Sequence, residues 1–242
     1  RLVPACTRYI GTDLSEVAIE QLRASQHRLA VPGLADEDLR QQPAHDFRGL
    51  PAGSFDTLVL NSVVQYFPNL EYLLRVLREA VARCTEGGAI FLGDVRSLPL
   101  LESYHAALQS FKAEPEETRR SLEQRVSAQA AREQELAVAP AFFHALCRDL
   151  PRIARVEIRP RRGSADNEMT RFRYDVTLHL DKHAPAEGDT DATASAGLWH
   201  DWRARRMDLG EIRAHLETNQ PELWGLRHVA NARLDAERAT LD

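Results

Sequence analysis

The chain has 242 residues, enough for one α/β domain with an appendage and too few for two full domains. A net charge of −5, from 31 basic and 36 acidic side chains, excludes the clustered basic face that a nucleic-acid binder needs. No apolar run approaches the ~20 residues that span a bilayer, no signal peptide is visible, and Cys6, Cys84 and Cys147 lie far apart without metal-ligand spacing, which points to a reduced, cytosolic, metal-free protein.

The sequence around Arg1 already reads as folded, so a piece of a longer protein is expected. Tyr9-Ile10-Gly11-Thr12-Asp13 reads as a short strand ending in an acid. A helix follows from about Ser15, with Ala18, Leu22, Ser25 and Leu29 on one face. Leu58-Val59-Leu60 is an unbroken apolar run suited to a strand covered on both faces. Leu70, Leu73, Leu74, Leu77, Val81 and Cys84 keep helical spacing up to a stop at Gly87-Gly88. Ala89-Ile90-Phe91-Leu92-Gly93-Asp94 is a second buried strand, and Leu101, Tyr104, His105, Leu108 and Phe111 mark the apolar face of a further helix.

Residues 116–136 predict a helix whose apolar stripe is thin (Leu122, Val126, Leu136), better placed as a flap than in a core. Its arginines alternate with glutamates, as on a solvated face. Asp149, Arg152 and Arg155 also read as surface. Two late strands alternate strictly: Val156 and Ile158 on the first; Phe172, Tyr174, Val176, Leu178 and Leu180 on the second. Residues 161–170 join them. Residues 183–197, rich in Ala, Asp, Thr and Gly, predict a flexible linker, after which Asp208-Leu209-Gly210-Glu211 reads as a helix cap. Strand–helix repetition followed by a hairpin predicts a doubly wound, mostly parallel sheet ending in an antiparallel pair. Ligands bind such sheets at the carboxyl ends of the strands, so Asp13, residues 45–47, 61–67, 94–97 and 161–170 are expected to converge on one rim.

Asp13, with Leu14 beside it, sits where an acid accepts the ribose hydroxyls of a nucleotide-like cofactor, or else caps the next helix. Asp46 is suited to accept from an adenine amino group while the ring lies against Phe47; the bland alternative is turn chemistry. Asn61-Ser62-Val63-Val64-Gln65-Tyr66-Phe67-Pro68 is the most distinctive segment, because desolvated amides need partners and so argue for a bound polar ligand. On the acceptor side, His105 reads either as a base or as a satisfied core residue. Glu168, beside Asn167, reads either as a base or as a loop salt bridge. Asp94 and Arg96 either touch substrate or pair with each other. Gln65 and Tyr66 suit contact with substrate or cofactor better than proton transfer.

The run FDTLVLNSVVQYFPNLEYLLRVL, then GGAIFLGDVRSLPLLESYH, then NEMTRFRYDVTLH, resembles the methyltransferase domains of nonribosomal peptide synthetases, in the family's order. The close at Val229-Ala230-Asn231-Ala232-Arg233-Leu234 is similar too. The resemblance implies a Rossmann-like methyltransferase core over residues 1–182, a helical lid at about 114–137, and a helical extension over 198–242 beyond the linker. It implies S-adenosyl-L-methionine as cofactor, held by Asp13, Leu14, Asp46, Phe47, Asn61 and Ser62. A carrier-protein-bound aminoacyl thioester would meet Gln65, Asp94, Arg96 and Asn167, with His105, Glu168 and Tyr66 as catalytic candidates and an adenylation domain as host. The family's first strand and E-x-G-x-G-x-G loop are expected ahead of Arg1. A catalytically silent or epimerase-type insert, and a C- or O-methyltransferase, stay open as alternatives.

Overall fold

The computed structural model describes residues 6–29, 38–114, 116–181, 199–205 and 207–234. At its centre, β3 (Phe55–Asn61) and β4 (Cys84–Ser97) run parallel, with Leu58 opposite Ile90 and Leu60 opposite Leu92. The helix between them, α2 (Leu70–Arg83), starts where the Asn69 side chain accepts the Tyr72 N–H and buries Leu73, Val76, Leu77, Ala80 and Val81 against the sheet. Each such side chain contributes roughly 1.5–3 kcal/mol by leaving water. β4 also pairs antiparallel with β7 (Arg173–Leu180), which pairs antiparallel with β6 (Ile153–Pro160). The sheet order is therefore β3-β4-β7-β6, with the short β5 (Ala137–Val138) parallel to β4 at Arg96 and Ser97. The expected late hairpin is present, and β7 alternates as read: Tyr174, Val176, Leu178 and Leu180 are buried.

Two expectations about the centre need correction. Gly87-Gly88 does not stop α2, which ends at Arg83; both glycines lie inside β4. Phe55 pairs with Cys84 and Thr57 with Ala89, so residues 85–88 bulge out, with Gly87 at φ 74°. A Cβ on Gly88 would press on the Asp56 and Thr85 carbonyls, which explains glycine there. Nor is β3 covered on both faces: Val59 is 43% exposed. It sits on an edge strand whose outward face has no cover among the described residues.

β1 (Gly11–Asp13) and β2 (Leu39–Gln41) form a separate parallel pair joined by α1 (Glu16–Leu29). α1 buries Ile19, not the stripe expected through Leu22, which is exposed. Beyond β2 the chain returns to the core, where Phe47 joins the buried cluster and His45 Nδ1 lies 2.8 Å from Tyr72 Oη.

α3 (Leu101–Phe111) packs against α4 (Arg119–Ala131), the expected lid helix, which is capped by Thr118 and buries only Val126. The face expected for α3 is also corrected: His105, Ala106 and Gln109 are buried, and Phe111 is 90% exposed. α5 (Pro140–Asp149) buries Phe143 and Leu146 in the core, an element not foreseen from the sequence. Arg152 is no solvated residue. Its guanidinium donates to the Val81, Cys84 and Thr85 carbonyls and to Asp181, tying the end of α2 to the end of β7. α6 (Glu168–Arg171) is a single turn within the β6–β7 connection.

The C-terminal extension contains α7 (Trp202–Arg205) and α8 (Leu209–Asn219), with the expected Asp208–Glu211 capping box. It also holds a parallel pair, β8 (Trp199–Asp201) with β9 (Gly225–Arg227), so it is not purely helical. Strands of three residues carry no readable period. The linker expected at 183–197 lies outside the described residues.

Candidate active site

The end of β3 and a bulge within β4 meet in one polar network, of which Asp94 is the buried member. A left-handed residue follows β3, Ser62 at φ 57°, and another interrupts β4, Asp94 at φ 68°. Such a backbone is strained for non-glycine residues and persists only where the surroundings over-determine it. Here they do. The Ser62 hydroxyl donates to Asp94 Oδ2 at 2.9 Å, the Asn61 amide donates to the Ser62 hydroxyl at 3.1 Å, and the Asp94 N–H donates to Asp175 Oδ1 at 2.9 Å. A side chain at Gly93 would collide with the Asn61 amide, so that glycine leaves the space in which Asn61 lies.

Asp94 is 1% exposed and holds two arginines, Arg161 at 2.5 Å from Oδ1 and Arg173 at 3.0 Å from Oδ2. Arg173 in turn donates to Glu168 Oε1 at 2.6 Å. The rim thus carries a continuous line, Asn61–Ser62–Asp94–Arg173–Glu168, running from β3 to the β6–β7 connection. Glu168 Oε2 has no partner among the described residues, and its side chain remains 42% exposed. It lines a cleft of about 160 Å³ with Tyr104, Leu108 and Phe172. A larger cleft, about 500 Å³, opens on the sheet face away from the core, lined by Asn61, Phe91, Glu157, Arg161, Asp175 and Thr177.

Asp94 and Arg96 do not pair with each other. Asp94 leaves strand geometry at φ 68°, in the register break between Leu92 and Val95, whereas Arg96 is back in register opposite Arg173 and turns to the acids that follow α4. Arg96 is buried under the lid, donating to Glu135 at 3.0 Å and Glu133 at 2.9 Å, with its guanidinium 4.8 Å above the Tyr104 ring. His105 Nε2 lies 3.2 Å from the same Glu133 carboxylate and is buried as well. Burial pushes the Glu133 carboxyl up, but Arg96 and the N–H groups of Glu135 and Gln134 hold it below the usual carboxylate range. Asp94 and Arg96 are therefore occupied within the protein, whereas neither ring nitrogen of the buried His105 has a hydrogen-bond partner among the described residues. Gln65 is also buried, with its Oε1 unpartnered among the described residues, whereas the neighbouring Tyr66 is 72% exposed. Asn167 is spent on structure: its Oδ1 accepts the N–H groups of Met169 and Thr170 and caps α6.

The remaining expected residues form a second group around β1 and β2. Asp13 Oδ1 accepts the Ser15 N–H at 2.8 Å at the head of α1, leaving Oδ2 without a partner among the described residues. Leu14 is exposed, and its carbonyl accepts from Gln41. Asp46 binds Arg48 through both oxygens, at 2.9 and 2.6 Å, and the hydrogen bonds from that side chain and its backbone N–H draw the Asp46 carboxyl down to about 2. Phe47 turns into the core beneath the Arg83 guanidinium and offers no face for a ring to stack on, a correction to its expected place. The single rim resolves into two groups: Asn61, Ser62, Asp94 and Glu168 in one, Asp13 and Asp46 in the other. Arg161, Arg173, Glu133 and Glu135 were missed. Arg173 and Asp175 are the polar partners of the alternation read in β7, and that outward half of the pattern was the signal available.

A family profile described as a methyltransferase domain matches residues 1–92. The chain is 41% identical over 245 aligned residues to chondramide synthase cmdD of Chondromyces crocatus, an alignment covering all of this chain and 6% of that protein. It is 40% identical over 229 residues to CymA of Salinispora arenicola, described as a probable non-canonical nonribosomal peptide synthetase, covering 89% of this chain and 3% of that one. Among solved structures it is similar to the N-methyltransferase NodS of Bradyrhizobium japonicum in complex with S-adenosyl-L-homocysteine, at a TM-score of 0.48 and 16% identity, over 75% of this chain and 70% of that one. The chain thus spans a small fraction of its curated relatives, and by its profile match, its relatives and its α/β sheet it belongs to the methyltransferase domains of nonribosomal peptide synthetases.

Proposed function

We propose that the domain moves the methyl group of S-adenosyl-L-methionine to the α-amine of an aminoacyl thioester held on a carrier protein, inside a synthetase whose adenylation domain hosts it. The observation that carries this reading is the line from Asn61 to Glu168, which links a cofactor-side strand end to a half-exposed carboxylate at a cleft. Asp13 suits the ribose end of the cofactor through its available Oδ2. Asp46 suits the adenine end as an acceptor, once the exposed Arg48 swings aside. Phe47 does not fit a stacking role.

When bound, the cofactor supplies a methyl group on positive sulfur, activated for in-line displacement. The protein then chiefly has to align the two partners, which in favourable intramolecular cases lowers a barrier by roughly 7–11 kcal/mol. An α-amine of pKa about 7.7–8 is partly neutral near pH 7, so a weak acceptor is sufficient for its proton. Glu168 suits that role, because Arg173 holds its Oε1 while the half-exposed side chain lines the cleft. Asn61 suits the cofactor, and the exposed Tyr66 suits the acceptor.

The test is methyl transfer onto a loaded carrier protein by the parent synthetase, read by mass spectrometry. Transfer is expected to stop when the amine is blocked. A product that still gains a methyl group would place it on carbon or oxygen, and no product from a folded, cofactor-bound protein would indicate a silent insert. Asp13→Ala should weaken cofactor binding by about tenfold, the weight of a hydrogen bond to an ionised group. Unchanged affinity by calorimetry removes Asp13 from the site.

A further inference from the structure

The β6–β7 connection that presents Glu168 is closed from outside by the C-terminal segment. One guanidinium, that of Arg233, donates to the Gly163 carbonyl at 3.2 Å through Nη2 and to the Thr170 carbonyl at 3.3 Å through Nη1. Those carbonyls stand near opposite ends of the connection, just after β6 and inside α6. The two ends also touch: a Cβ on Gly163 would lie 2.7 Å from the Thr170 methyl. Arg233 is itself set by Asn231, whose Oδ1 accepts the Arg233 N–H and whose carbonyl accepts the Leu234 N–H, and Leu234 is buried.

We infer that Arg233 is a positioning residue for methyl transfer, a clasp from the C-terminal segment that fixes the β6–β7 connection and so the aim of Glu168. This rests on the acceptor-side role given above to Glu168. The planar fork is what the geometry uses, because two carbonyls some distance apart need two divergent donors on one rigid group. Inside the connection, Asn167 caps α6 and the Thr170 hydroxyl donates to the Ala165 carbonyl at 2.7 Å, while Asp166 holds Arg171. These bonds shape the turn locally. Arg233 instead ties its two ends to a distant part of the chain.

Hydrogen exchange separates the clasp from the catalytic reading, since it needs neither cofactor nor acceptor. The amides of Thr170, Arg171 and Phe172 are bonded within α6. In Arg233→Ala they should exchange roughly three- to tenfold faster, the loss expected for one or two exposed hydrogen bonds, while Val176 and Leu178 in β7 stay unchanged. Arg233→Lys should exchange like Arg233→Ala, because an ammonium is a point donor. Unchanged exchange in Arg233→Ala, or full protection in Arg233→Lys, overturns the clasp. In the methylating synthetase, Arg233→Ala should lower kcat for the acceptor several-fold per folded molecule, with cofactor affinity unchanged. A kcat equal to wild type, with the amides loosened, overturns the positioning role while leaving the clasp. Absence of any transfer in the wild type is instead a failure of the proposed reaction.

Discussion

Asp94 sits in a left-handed backbone where β4 bulges, with three side chains converging on its carboxylate. A carboxylate taken almost wholly out of water is tolerable only because Arg161 and Arg173 compensate it, and the arrangement is asymmetric: deleting one member strands the others. Asp94→Ala should therefore destabilise the domain by about 3 kcal/mol, the lower end for a broken buried pair because Arg161 keeps some contact with water. Urea unfolding measures it, and a loss under 1 kcal/mol would show that the arginines find water instead. The same residue marks a limit of reading the sequence. The neighbourhood of Asp94 with Asn61 and Ser62 was legible, although the strand expected to end at position 94 continues to Ser97. That its partners would be Arg161 and Arg173 was not, because that pairing depends on β7 lying antiparallel to β4 with Val95 opposite Tyr174, a register set by packing of the apolar face.

At the scale of elements, α4 is fastened less by its own side chains than by the turn after it. α4 buries a single side chain, yet Glu133 and Glu135 just beyond it hold the buried Arg96 of β4. The thin apolar stripe foretold that α4 would bury little and was silent about this anchor, since an acidic pair after a helix looks like solvated surface. Glu133 is the sensitive member. Its folded carboxyl lies below its ordinary 4.5, so the stability it contributes is complete above that value and is lost as the pH falls through the lower folded one. Glu133→Gln should therefore lose stability at pH 6 and lose less further stability than wild type on acidification to pH 3. Parallel urea curves at the two pH values measure the difference, and an equal acid-induced loss in both proteins would show that Glu133 carries none of it. α1 and α3 show the same limit from another side. Each carries apolar residues at helical spacing, yet Leu22 and Phe111 face outward, because which stripe is buried depends on neighbouring elements rather than on the stripe itself.

At the scale of the whole molecule, the sheet and its crossovers were readable because long apolar or alternating runs outlast local ambiguity: the centres of β3, β4, α2 and β7 fall where the periodicity put them, while β4 begins and ends beyond the expected run. The short strands β8 and β9 and the bulge at residues 85–88 carry no such period, and their positions are fixed by tertiary pairing. Charge is distributed with a common logic across these elements. Asp46, Asp166 and Asp181 are drawn down by hydrogen bonds from Arg48, Arg171 and Arg152, and Asp201 by His228. In every case the folded state favours the ionised carboxylate. Their contributions are full above the unfolded aspartate value near 3.8 and disappear as the pH drops through the folded values, about 2 for Asp46. With Glu133 and Glu157 shifted the same way, the urea midpoint should hold steady from pH 7 to about 5 and fall continuously below pH 4.5. Because most of these pairs are exposed, 1 M salt should flatten that fall, leaving mainly the part owed to the more buried Glu133. A midpoint constant down to pH 3, or an acid limb indifferent to salt, would mean that the carboxylate pairs seen across the surface do not shape the folding equilibrium.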